Sequence, residues 1–100
     1  MPWLRFSASS RADLAEIWER IAADSPRTAN AVHERLHLKC AQLMTQPLAG
    51  HRRDDVKRGL RSLSSDGYVI FYRYVADEVR VSRVVHHSRH LPALSFDEKL

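Results

Sequence analysis

Three histidines and two arginines crowd the stretch RVVHHSRHL, Arg83 to Leu91. Imidazole titrates near neutral pH and guanidinium carries a fixed charge. Such a set can supply acid–base catalysis, a phosphate cradle or metal ligands. Cutting RNA through its 2′-hydroxyl needs a base, an acid for the leaving oxygen and cations for the developing charge. A nuclease centre in this chain would be assembled from Arg61, Arg83, His86, His87 and Arg89. Metal binding has two candidate sets. His33, His37 and Cys40 stand at i, i+4 and i+7, so a helix would bring them to one face. His86, His87 and His90 form the other. Neither set lies in an HExxH or CxxC pattern. The expectation is therefore no metal and no cofactor, with Cys40 a small core residue and the two helix histidines on the margin of an apolar stripe.

The elements that must carry these residues follow from size and pattern. One hundred residues make a single domain, 1–100. No apolar run reaches the ~20 residues of a membrane span, and MPWLRFSAS lacks the apolar core of a signal peptide. One cysteine excludes an internal disulfide and fits a reducing cytoplasm. The net charge of +4 is carried by arginine, with only three lysines beside it. A basic small domain expects an anionic partner, either nucleic acid or an acidic protein segment.

Trp3 to Ser7 alternates like a strand. Ser10-x-x-Asp13 reads as a capping box, and Leu14, Ile17, Trp18, Ile21 and Ala22 form an apolar helix stripe. Ser25 and Pro26 start a second helix that runs to about Met44 and buries Ala29, Val32, Leu36, Cys40 and Leu43. The link is short, so the two helices form a hairpin. Thr45 to Val56 reads as a long loop. Three strands follow, at Leu60–Ser64, Tyr68–Val75 and Val79–His86. Asp66-Gly67 makes the first turn and residues 76–78 the second. The tail from about residue 92 is expected to be loosely ordered.

Alternation assigns faces to this meander. Leu60, Val69, Phe71, Val75, Val79, Val81 and Val85 are expected to face the helices. Arg73, Arg83 and His87 share that parity, so the arginine heads must escape at a margin or pair with an acid. Arg61, Leu63, Tyr68, Ile70, Tyr72, Tyr74, Arg80, Ser82, Val84 and His86 are expected to face outward. Interleaved tyrosine and arginine would suit base stacking or a protein partner. His86 and His87 are expected to point to opposite faces.

Over nearly its whole length the chain resembles a known family. The residues that carry the likeness are DLAEIWERIAADSP, QPLAGHRRDD, GLRSL and YVIFYRYVADEVRVSRVVHHSRHL, in this order. They resemble the ParE branch of the RelE/ParE superfamily, the toxins of type II toxin–antitoxin pairs. The resemblance implies an α+β fold of order β-α-α-β-β-β, a small antiparallel sheet with a helix hairpin packed on one face. It implies a ParD-like antitoxin with a flexible acidic tail as partner, and inhibition of DNA gyrase in the cytoplasm. The candidate contacts for target or antitoxin are Arg61, Tyr68, Tyr72, Tyr74, Arg80, His86, Arg89 and Leu91. The RelE-like branch implies an alternative, an endoribonuclease acting on mRNA in the ribosome. After the last strand this chain has no tyrosine of the kind that branch uses, and Asp54 and Asp55 dilute the basic loop.

Overall fold

The structure, a computed structural model, describes residues 2–88. Its elements are β1 (Trp3–Phe6), α1 (Ala8–Ala22), α2 (Pro26–Gln42), β2 (His51–Arg52), β3 (Arg61–Ser65), β4 (Tyr68–Val75) and β5 (Glu78–His86). The strands form one sheet in the order β1-β5-β4-β3-β2. All neighbours are antiparallel except β1 and β5, which run parallel. The sheet is therefore mixed, and the long loop contributes a short edge strand that alternation alone does not reveal. No described helix is long and apolar enough to cross a membrane. The tail from residue 92, with Arg89, His90 and Leu91, lies outside the described residues.

The helix hairpin forms where the stripes require. Ser25 caps α2 by accepting from the Thr28 amide, and Pro26 occupies the first turn, where its missing N–H costs nothing. Ala29, Val32, Leu36 and Cys40 are buried, while Leu38 stays exposed on the far side. The cap of α1 is Ser7 and not Ser10: the Ser7 hydroxyl accepts from the Ser10 amide at 3.0 Å. Asp13 is thereby released from capping for another task. Trp18 is half-buried in the helix seam, its indole N–H donating to Asn30 Oδ1 at 2.8 Å. It lies outside the buried cluster, so Trp18→Ala is expected to cost about 2 kcal/mol, below the 3–5 of a fully buried aromatic. Denaturant unfolding checks this figure.

The face assignment of the meander is corrected by the structure. The helices cover Tyr68, Ile70, Tyr72, Val79, Val81 and Val84, with Leu63 packed against them. Leu60, Phe71 and Val85 form a second, smaller cluster closed by Val56 and Val69, with Val75 exposed. The first turn behaves as read, pairing Ser65 with Tyr68 and Leu63 with Ile70. The second turn has two residues and not three: Ala76 and Asp77 both adopt left-handed φ, of 52° and 59°, and Val75 faces Glu78. That one-residue difference places Val79 beside Tyr74. A bulge then leaves Ser82 without a cross-strand partner, so Phe71 again opposes Arg83 as alternation suggests. The bulge lets Val79, Val81 and Val84 all lie under the helices.

Burying the tyrosine face has a physical reason. The opposite face carries Arg5, Arg73 and Arg80, whose charges cannot be sealed under two helices without partners. A tyrosine needs only its hydroxyl satisfied. Tyr72 is fully buried; its hydroxyl donates to Pro47 O and accepts from the Gly50 amide, both at 2.8 Å.

Candidate functional site

Beyond Phe6 the chain turns into α1, and β5 loses its parallel neighbour. Side chains take over the open edge. Ser7 Oγ donates to Ser82 O at 2.8 Å, and the Val84 amide donates to Asp13 Oδ2 at 2.9 Å. Arg83 grips the same carboxylate at two points, Nε to Oδ2 at 2.7 Å and Nη2 to Oδ1 at 2.9 Å. Both side chains are only 11% exposed. Arg83 thus pairs with an acid, although the helix-facing parity expected for it does not hold: it opposes Phe71, on the face away from the helices. Arg73 likewise stands on the face away from the helices, where it donates to Arg58 O.

Beside this clamp lies a cleft of about 300 Å³ lined by Glu16, Arg20, Tyr68, His86 and Ser88. Glu16 and Arg20 pair across one helical turn at 3.0 Å. The His86 ring meets Tyr68 edge-on at 5.5 Å, and His86 Nδ1 lies 2.7 Å from Ser88 Oγ. His87 has already left the sheet. Its ring sits 4.3 Å from that of His86, and its Nδ1 is 3.0 Å from Gly67 O. The two rings come together and do not point to opposite faces.

Arg61 is far from this cleft. It faces Tyr72, whereas His86 faces Tyr68, which separates them by about 13 Å along β4. Its guanidinium donates to the carbonyls of Leu48 and Gly50 and fastens the loop. The structure therefore divides the residues proposed for a nuclease. Arg83 serves Asp13, Arg61 serves the loop, His86 and His87 stand at the cleft, and Arg89 lies outside the described residues.

Of the residues read as an outward binding face, Tyr72 is fully buried, and Tyr68 is buried apart from the little it shows to the cleft. Tyr74 remains 36% exposed beyond the helices, with its hydroxyl near Asp77 Oδ1 at 3.2 Å. Arg80 is half-buried on the opposite face and leans on Glu78 at 3.4 Å. His86 is exposed; Leu91 lies outside the described residues. The residue that alternation missed is Asp13. The signal was present, since a buried-parity arginine calls for an acid and Asp13 adjoins the apolar stripe.

The rings of His33 and His37 lie 4.6 Å apart and tilted on α2, with His37 also 5.4 Å from Phe6. Cys40 is buried, and burial pushes its thiol up to about 12. Among the described residues no three histidine, cysteine or acidic side chains converge as metal ligands. Partial burial, and then His33, hold His37 below the ordinary imidazole range. The unfolded chain accordingly binds a proton that the folded chain resists. Stability is expected to fall as pH drops below about 6.5. His37→Asn should flatten that slope, read as urea midpoints on either side of this value.

Comparison with known proteins adds to this geometry. A family model described as ParE toxin of type II toxin–antitoxin system, parDE, matches residues 4–91. Among solved structures, the chain is similar to one from a chromosomal ParDE toxin–antitoxin system of P. aeruginosa. The two are 19% identical with a TM-score of 0.75, over 86% of this chain and 96% of that one. No curated protein matches.

Proposed function

Since this chain belongs to the ParE toxin family of type II toxin–antitoxin systems, we propose that it inhibits DNA gyrase and is silenced by a ParD-like antitoxin. Inhibition proceeds by occupation of the enzyme and not by chemistry on a substrate, and the work is done in the cytoplasm. The observation that carries this reading is the engagement by Asp13 of Arg83, the β5 cation three residues before His86. A phosphorane intermediate needs cations aimed at it; this one is aimed at a carboxylate. Accessible contacts on the described surface are Tyr74, Arg80 and His86. Arg89 and Leu91, outside the described residues, are further proposed contacts. The positive charge of the chain suits an antitoxin with an acidic flexible tail.

Two assays run side by side test the target. Expression should relax plasmid DNA and inhibit supercoiling by purified gyrase while leaving mRNA on translating ribosomes intact. Cut mRNA with normal supercoiling would establish the nuclease instead. His86→Ala with His87→Ala is expected to weaken growth arrest by less than about tenfold, the loss of one contact, whereas a proton-transfer pair would lose 10²-fold or more. Co-expression of an acidic-tailed neighbouring reading frame should restore growth.

A further inference from the structure

The helix layer is electrically balanced. Residues 8–42 hold five basic and five acidic side chains. The whole net charge of +4 therefore belongs to β1, the sheet and its loops, and the tail. Within the sheet, three of the six strand arginines stand in one row. Arg5 on β1 faces Arg80 on β5, and Arg80 faces Arg73 on β4. Their neighbours Leu4, Phe6, Tyr72, Val79 and Val81 pack toward the helices, so all three arginines stand on the opposite face. Strands lie about 4.8 Å apart, so the row spans roughly 10 Å.

Like charges placed directly opposite on neighbouring strands weaken a sheet. Compensation here is partial. Glu78 alone reaches two of them, Arg5 at 3.2 Å and Arg80 at 3.4 Å. Arg80 Nε is buried with no hydrogen-bond partner. Arg5 remains 56% exposed. In the next row on the same face, Trp3 and Val75 flank Glu78 and are 74% and 42% exposed. Trp3 is the most exposed large apolar side chain of the described residues. A cost retained at three positions, beside a bare indole, marks a surface shaped for a partner.

We propose that this outer sheet face binds single-stranded nucleic acid, the arginine row meeting phosphates and Trp3 stacking on a base. Guanidinium forks match phosphate oxygens in pairs. An indole beside them offers the π-face on which an unpaired base stacks, whatever its sequence. A duplex hides that face of its bases. This surface lies across the sheet from the α1 cleft, and its activity does not depend on gyrase being the target.

Fluorescence anisotropy of the full-length chain with a labelled mixed-sequence DNA strand, titrated at several salt concentrations, tests the proposal. Binding should weaken with salt, and single strand should be preferred to duplex. Arg5→Gln with Arg73→Gln is expected to reduce the salt slope by about 1.4 and affinity at least tenfold. Trp3→Ala should lose roughly fivefold or more with the salt slope kept. In a Trp18→Phe background, Trp3 emission should quench on binding. Arg11→Gln with Arg27→Gln, on the balanced helix layer, should stay within twofold. Thermal midpoints accompany every variant; if the arginine pair fails to fold, the Trp3 variant and its quenching decide. Equal loss from the helix-layer pair, absence of binding at low salt, an unquenched Trp3, or preference for poly-glutamate over a strand of equal charge would overturn the proposal.

Discussion

Asp13→Ala is expected to destabilise the domain by about 3–5 kcal/mol, enough to leave much of it unfolded if its stability lies near the low end of small domains. Three hydrogen bonds meet at this carboxylate: two from Arg83 and one from the Val84 amide. Removing it takes the paired carboxylate from a guanidinium that is 11% exposed and opens the edge of β5 where β1 has already ended. Desolvation makes the pair a modest asset when intact and a large liability when broken. The conservative variant separates the two roles. Asp13→Asn keeps an acceptor for Val84 but not the charge, so its loss should be smaller than that of alanine. Urea unfolding of the three proteins gives the order. Equal losses for the two variants would mean that the charge pair carries the whole contribution and that the bond from the Val84 amide adds nothing.

Gly50→Ala should be comparably severe, about 3 kcal/mol, because the added methyl has nowhere to go. A Cβ there would lie 2.6 Å from Tyr72 Cε1 and its hydroxyl, and 2.9 Å from Ser62 O. One of these is sheet backbone and the other two belong to a fully buried ring, so neither side yields cheaply. The glycine is required by proximity and not by a left-handed backbone. Tyr72→Phe alone should cost about 1–3 kcal/mol, since it leaves the Gly50 amide and the Pro47 carbonyl without their partner. With Gly50→Ala already present, the same change should cost less, because it also removes one of the colliding atoms. The coupling read from this double-mutant cycle should exceed about 0.5 kcal/mol. Strict additivity would place the loop elsewhere than over Tyr72.

Asp13 and Gly50 owe their roles to contacts between distant segments, which local pattern does not encode. The helix hairpin was legible because its stripes repeat every three to four residues and local chemistry starts α2 at Ser25 and Pro26. The Asp66-Gly67 turn was equally legible, since only left-handed φ values close a two-residue hairpin and glycine reaches them freely. Ala76-Asp77 does the same without a glycine, so local chemistry does not mark the second turn as a two-residue one. A period of two turns any such error into an exchange of faces. Valine and tyrosine counts could not correct it, because both sides of this sheet are partly covered, one by helices and the other by the loop with Arg53 over Phe71.

By itself the sequence determined the element order, the hairpin of helices, the arginine excess and the likeness to ParE toxins, all properties of local pattern or whole-chain resemblance. Tertiary structure alone decided which face the helices cover, that Asp13 belongs to Arg83, and that three arginines from distant segments stand in one row. The reason is physical: each depends on strand register and on a bulge, which are set by satisfying buried polar groups between residues about 70 apart in the chain, and no local pattern carries that information.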